Sequence, residues 1–438
     1  MNGIGVRPDR TTERFCQSLQ VPYLEGQNRK AGLLLYIPSE SRNAFKKEIV
    51  ASIIIGVMIG SVGPFVAFIA SHRLHSSATL ISFIAAAPWA GSFLSPVYAN
   101  ALRGKRKMAF ICNTWIIGRS MLILMLFART PYTFALVAVA APFIGSMVAP
   151  GYTFIMKAIY PDDHRGKLMS YNRVAMWLTA TAATFAVGPI LRAHAESYRV
   201  VFPIAALFGV ASVLVFRSIQ VPGDDDRADR PRLRESMSDL VSILKQDRRF
   251  AWFIFATSVY GFGNFLMAPI YPKIMDEVLH MDEGNVAIYC VLLNVVMMLS
   301  LLYWGHHIDS KGAGRAVSTA ILVNALMPVI FFFAPSFVWI LPAAVAEGIM
   351  ISALELGYMN VALEFAPPGR EMDYQGLQSC VQGLRGILGP IAGGILYDIF
   401  HAAKYNVKYV FVVPFAIILL GWALLVFGGA KKPAAAGD

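Results

Sequence analysis

Twelve apolar runs, most of about 20 residues or more, constrain this chain more than any other feature of its sequence. They lie at 47–70, 76–101, 108–128, 132–158, 168–192, 199–218, 250–275, 284–304, 316–334, 337–365, 374–400 and 408–429. The hydrocarbon core of a bilayer is roughly 30 Å thick, so a spanning helix needs about 20 apolar residues. Lipid cannot satisfy exposed backbone groups, which makes the helix the default spanning element. Only 15% of the residues are charged, against roughly 25% in soluble proteins. The expected fold is an all-α membrane protein of twelve transmembrane helices.

The net charge of +11 raises the question of nucleic acid, and its distribution answers it. With both termini in the cytoplasm, 27 of the 38 lysines and arginines fall on that side and 7 on the other. This is the positive-inside pattern of a multi-pass protein, and the membrane expected is the plasma (inner) membrane. The cations face anionic headgroups rather than nucleic acid. The four cysteines, Cys16, Cys112, Cys290 and Cys380, are scattered. They form neither a disulfide framework nor a metal site. In the first 46 residues the one apolar run, Ala31 to Ile37, is too short for a secretory signal.

The chain divides into a cytoplasmic tail at 1–46, six runs at 47–218, a linker at 219–249, six runs at 250–430 and a tail at 431–438. The linker opens with Pro222, Gly223 and Asp224 to Asp226. Its second half, with Leu233, Met237, Leu240, Val241 and Leu244, has helical apolar spacing. It reads as an amphipathic surface helix or as a solvated connection.

The two sets of six runs resemble each other. Gly151-Tyr152 with Pro161 in the fourth run matches Gly357-Tyr358 with Pro367 in the tenth, 206 residues on. Gly188-Pro189-Ile190 in the fifth matches Gly389-Pro390-Ile391 in the eleventh, 201 residues on. Asn100 and Gly104, after the second run, match Asp309, Gly312 and Arg315, after the eighth. Duplicated halves with a site between them are a common plan for alternating access. The fold expected is two pseudo-symmetric six-helix bundles.

These motifs resemble those of the major facilitator superfamily. Gly305-His-His-Ile-Asp309-Ser-Lys-Gly312-Ala-Gly-Arg315 looks like that family's loop signature between the second and third helices of a half. Pro161-Asp-Asp-His-Arg165-Gly166 looks like its motif after the fourth helix. Gly389-Pro390-Ile-Ala-Gly393-Gly394 is similar to its antiporter motif. The resemblance covers about 47–430 and implies secondary transport of a small solute by alternating access. It also implies coupling to a proton or substrate gradient, with export slightly favoured. In the first half the signature departs from the family. Asn100 stands where an acidic residue helps latch one conformation, Pro96 replaces a glycine, and Gly104 comes one residue late. That departure, with the long tail, motivates an alternative: a receptor or assembly scaffold that keeps the fold without transport.

Charges within spans cost roughly 2.5–3.5 kcal/mol on insertion scales, so they face a cavity or a partner. Glu347 and Glu355 lie in the tenth run and Arg385 in the eleventh. Position along the runs sets Glu355 and Arg385 at similar depth and allows them to pair, either as a substrate or proton site or as a structural bridge. Asn264 and Asn294 are polar candidates in helices that the resemblance places along the cavity. Tyr152 and Tyr358 are candidates near its cytoplasmic side. Arg119 in the third run and Arg173 in the fifth read as structural, the latter paired with Asp162 or Asp163. His306 and His307 lack ligands at metal spacing. No phosphate loop is present and no nucleophile–base pair, so no enzyme, cofactor or metal is expected. The partners expected are a small-molecule substrate, lipid and protons, acting on a monomer.

Overall fold

A computed structural model describes residues 41–94, 106–194, 196–222, 242–367 and 370–428. The tail through residue 40, Asn100, Gly104, the linker residues Leu233, Met237, Leu240 and Val241, and the segment 431–438 lie outside the described residues. So do the side chains of Asp162, Asp163 and Asp309.

The helices are α1 (Arg42–His72), α2 (Ala78–Phe93), α3 (Lys107–Met121, with the 3-10 turn Leu122–Phe127) and α4 (the pair Pro131–Ser146 and Ala149–Ile159). There follow α5 (Asp162–Ala193), α6 (Tyr198–Arg217), α7 (Arg248–Glu277), α8 (Glu283–Lys311), α9 (Ala313–Phe333) and α10 (Phe337–Phe365). The last are α11 (Glu371–Ala402) and α12 (the 3-10 turn Val407–Phe411 with Val412–Phe427). Among the described residues, 9 helices are long and apolar enough to cross a membrane, or 10 when the bent pair in α4 counts as one span. The other two of the expected twelve fall short for different reasons. The described part of α2 has 16 residues. At 32 residues α11 is long enough, but Gln375, Gln378, Gln382, Arg385 and Asp398 dilute its apolar character.

Local chemistry sets the helix ends. The Ser77 side chain accepts from Leu80 N at the start of α2. A Thr130–Thr133 capping box followed by Pro131 starts α4, and Asp282 caps α8. Such caps satisfy donors that the first turn leaves orphaned. The loop signature is largely helical: α8 runs through His306 and His307 to Lys311 and ends at Gly312, whose φ of 86° is open to glycine. Glu364 Oε1 accepts from Ala313 N at 3.1 Å and so ties α10 to the start of α9.

Ser41 at the start of α1 bonds Ile159 O at the end of α4, and Lys47 bonds Ser218 O at the end of α6. Trp252 of α7 bonds Leu424 O of α12. The start of α1 and the finish of α12 thus lie at one end of the helices, here the near end; the turns after α1, α7 and α11 form the far end.

The packing repeats with a six-helix offset. The pairs α1·α5, α1·α6, α2·α4, α3·α4 and α3·α6 recur as α7·α11, α7·α12, α8·α10, α9·α10 and α9·α12. The two series meet along α2·α11 and α5·α8, which the same offset exchanges. Glycines allow the closest approaches, as small residues do between membrane helices. A Cβ on Gly60 of α1 would lie 1.9 Å from Ala180 O of α5, and one on Gly393 of α11 would lie 1.9 Å from Leu266 O of α7. The outward surface carries large apolar side chains, among them Leu302, Leu136 and Phe127, which suits lipid.

Candidate functional site

The structure separates Arg385 from Glu355. Arg385 Nη1 donates to the Thr257 carbonyl of α7, and Nη2 donates to Tyr358 Oη at 3.3 Å. The guanidinium lies 5.5 Å from the Tyr358 ring centroid. Gly261 makes room for it, since a Cβ there would come within 2.5 Å of Cζ. Glu355 instead pairs with Arg173, which corrects the expected Glu355–Arg385 pair; the partners expected for Arg173, Asp162 and Asp163, have side chains outside the described residues. The α10 residue that reaches Arg385 is Tyr358, three positions after Glu355. The two helices therefore meet at this depth but project their charges apart: α11 aims Arg385 at α7, and α10 aims Glu355 at α5.

The Arg173–Glu355 pair joins one helix from each series of six. Its side chains are 58% and 39% exposed, and α5 and α10 are not among the closely packed helix pairs. The pair therefore bridges open space between the two series.

Glu347 faces another way. Its Oε2 accepts from Tyr289 Oη of α8 at 2.7 Å, with Tyr271 and Cys290 within electrostatic reach. Asn324 of α9 donates to Asn264 Oδ1 of α7 at 3.1 Å. Asn294 is buried on α8.

The remaining expected residues serve other contacts. Tyr152 Oη donates to Glu48 Oε1 at 3.0 Å and its ring packs near Trp115 and Phe216. Arg119 Nη1 donates to Gly209 O at 2.7 Å and Ser212 Oγ at 2.6 Å. Arg165 Nη2 donates to Tyr160 O at 3.2 Å. Gly166, Gly305 and Arg315 lie at the near end, with open space around the two glycines.

Sequence reasoning missed two features. One is Glu48 of α1, a buried carboxylate held by Tyr152 and also by Tyr160. Its signal was a lone acid inside the first apolar run. The other is a seam of charge at the far end. Asp276 Oδ2 accepts from Ser71 Oγ at 2.6 Å, and its Oδ1 lies 2.7 Å from His72 Nδ1. Arg73 Nε donates to Glu283 at 2.7 Å, and Arg192 pairs with Asp282 at 3.0 Å. Asp398 accepts from Ala78 N and Thr79 N, both at 3.0 Å, and from Thr79 Oγ1 at 2.6 Å. In each of these contacts α1–α6 supplies the donor or base and α7–α12 the carboxylate. These acids sit beside turns, so along the sequence they read as ordinary loop charge.

A family model described as Major Facilitator Superfamily matches residues 49–267 and 253–437. Among solved structures, the nucleoside transporter NupG is similar with a TM-score of 0.71 and 14% identity, over 89% of this chain and 100% of that one. A D-xylose-proton symporter gives 0.65 and 11%, over 90% and 100%. The human organic anion transporter MFSD10 gives 0.60 and 14%, over 89% and 100%. Identities this low speak for the fold alone. No curated protein matches the sequence.

Proposed function

This chain belongs to the Major Facilitator Superfamily, and on that premise we propose that it is a secondary active transporter moving a small solute by alternating access. The observation that carries this reading is the Arg173–Glu355 pair, two charges that join helices of opposite series across open space. An ion pair this exposed contributes little to stability, so its stabilising effect alone does not account for its place between the two series. A pair at the gap between two rocking bodies is made in one state and released in another.

We take the two moving bodies to be 47–218 and 250–430, joined by the 219–249 linker. The six-helix repeat in packing supports that division. Both termini are placed in the cytoplasm on the charge asymmetry, in the plasma (inner) membrane, with the protein acting as a monomer. The far end, closed by the charged seam, is then the external face. Coupling to a proton or substrate gradient is assigned to the carboxylates Glu355 and Glu347, each able to exchange a proton for its present partner. Export is favoured by the antiporter-like glycines of α11.

The test is flux in proteoliposomes under an imposed pH gradient. Glu355→Gln should lower gradient-driven flux at least about 10-fold, the loss expected for about 1.4 kcal/mol, while insertion stays normal. Undiminished pH-driven flux in that variant removes the proton role. Absence of flux in the wild-type protein for every solute tried would instead favour the receptor or scaffold reading, whose own check is loss of a partner on deleting residues 1–46.

A further inference from the structure

The guanidinium of Arg385 is a buried cation with donors left unused. It is 7% exposed, yet its partners are neutral: a carbonyl oxygen of Thr257 and the hydroxyl of Tyr358. An arginine carries five N–H donors, and two are used. Arg385 Nε is buried with no hydrogen-bond partner, and so is the nearby hydroxyl of Tyr260. Tyr260 lies within electrostatic reach of both Arg385 and Tyr358. Among the described residues no carboxylate pairs with Arg385.

Burying a cation is unfavourable unless it is paired and hydrogen-bonded. Glu355, the carboxylate nearest along α10, is committed to Arg173. The unpaired Nε edge, together with the second hydrogen on Nη2, has the geometry of the fork that binds a carboxylate or phosphate through two parallel bonds. Tyr358 and Phe253 stand edge to face at 6.5 Å, an aromatic wall beside the fork. We propose that Arg385, with Tyr260 and Tyr358, is the recognition site for an organic anion carrying a carboxylate or related acid group on an aromatic or apolar body. As a statement about substrate, this rests on the transporter reading; as a statement about binding, it stands without it.

The test uses acid and amide pairs that differ in charge and little in shape: benzoate against benzamide, and phenylacetate against phenylacetamide. Inorganic phosphate is added as a body-free anion. Each is titrated into full-length protein in lipid nanodiscs while thermal unfolding is followed, since ligand bound to the folded state raises Tm. The acids should raise Tm and the amides should not. Arg385→Gln should weaken the acid response about 10- to 100-fold, the range for losing a charged hydrogen bond of roughly two tenfold steps at most. Arg385→Lys, which keeps the charge and loses the fork, should recover only part of it. Equal shifts from acid and amide, a full acid response in Arg385→Gln, or no shift from any of the five probes overturns the proposal. If phosphate alone registers, the organic body is wrong and the proposal falls in that part.

A further variant guards against a folding defect. Arg385→Met without ligand should unfold at or above the wild-type temperature, because a buried unpaired charge has been removed. A marked drop would make Arg385 structural and overturn the site. Flux separates this proposal from the transporter reading. An acid that binds but never crosses proteoliposomes leaves the site standing and removes transport. Flux of neutral solutes without acid binding does the reverse.

Discussion

Neutralising Asp276 and Asp398 together should open the far end of the protein. Asp276 holds Ser71 and His72 of α1. Asp398 takes three bonds from the first turn of α2. There it also meets the positive end of the helix dipole. Hydrogen bonds to a charged group contribute roughly 1.5–3 kcal/mol each. Even at the low end, and allowing for water replacing part of the loss, the pair of substitutions approaches the roughly 5.5 kcal/mol that moves an equilibrium from 1:99 to 99:1.

The readout is a cysteine at Ala287, buried on α8 against Gly188 of α5, in protein whose four native cysteines are replaced. A membrane-impermeant maleimide should label Asp276→Asn/Asp398→Asn protein at least about 10 times faster than its parent. Equal labelling rates would mean that apolar packing along α2·α11 and α5·α8, not the charged seam, holds this end closed.

The second large effect concerns folding. Gly60→Ala and Gly393→Ala should each deplete folded protein, and Gly63→Ala should behave as wild type. The added Cβ would stand 1.9 Å from a backbone carbonyl oxygen at Gly60 and at Gly393, whereas nothing lies within 4 Å of one on Gly63. A carbonyl cannot swing aside as a side-chain tip does, so α1 must leave α5, or α7 must leave α11. Overpacking of this kind costs typically about 1–3 kcal/mol and more where backbone must move. The two sites occupy the same contact in the two series of six. Size-exclusion profiles and unfolding temperatures of detergent-solubilised protein give the answer. Wild-type behaviour at Gly393 would show that α7 and α11 can separate freely and that the glycine does not set their approach.

The antiporter-like motif gains a physical meaning from this geometry. Gly393 faces α7, and Gly394 faces α2, where an added Cβ would lie 2.6 Å from Ala78 O. The motif therefore brings three helices close at the boundary between the two series. A transporter needs surfaces there that pack tightly and still separate, and glycine provides contact without interlocking side chains.

Much of the helix plan was legible because lipid imposes length. Among the described residues 9 of the predicted runs, or 10 with the bent pair of α4, are helices long and apolar enough to span, and most of the other differences lie at the ends. α1 starts at Arg42 and α8 continues to Lys311, because a helix need not stop where apolarity stops. The Gly-Tyr repeat was legible too, and it marks equivalent positions with opposite duties. Tyr152 donates to the buried acid Glu48, while Tyr358 accepts from the buried base Arg385. The partner identities were not legible, since each charge is supplied by a distant helix.

By itself the sequence determined the element type, the approximate span of each helix, the two-series repeat and the charge asymmetry. All of these follow from local hydrophobicity and from counting along the chain. Only the tertiary structure decided which charge meets which. One residue turns a helix by about 100°, so depth can be read from position, while direction depends on how twelve helices are rotated against one another. That rotation gave Glu355 to Arg173, left Arg385 with neutral partners, and lined up the far-end acids of one series with the donors of the other.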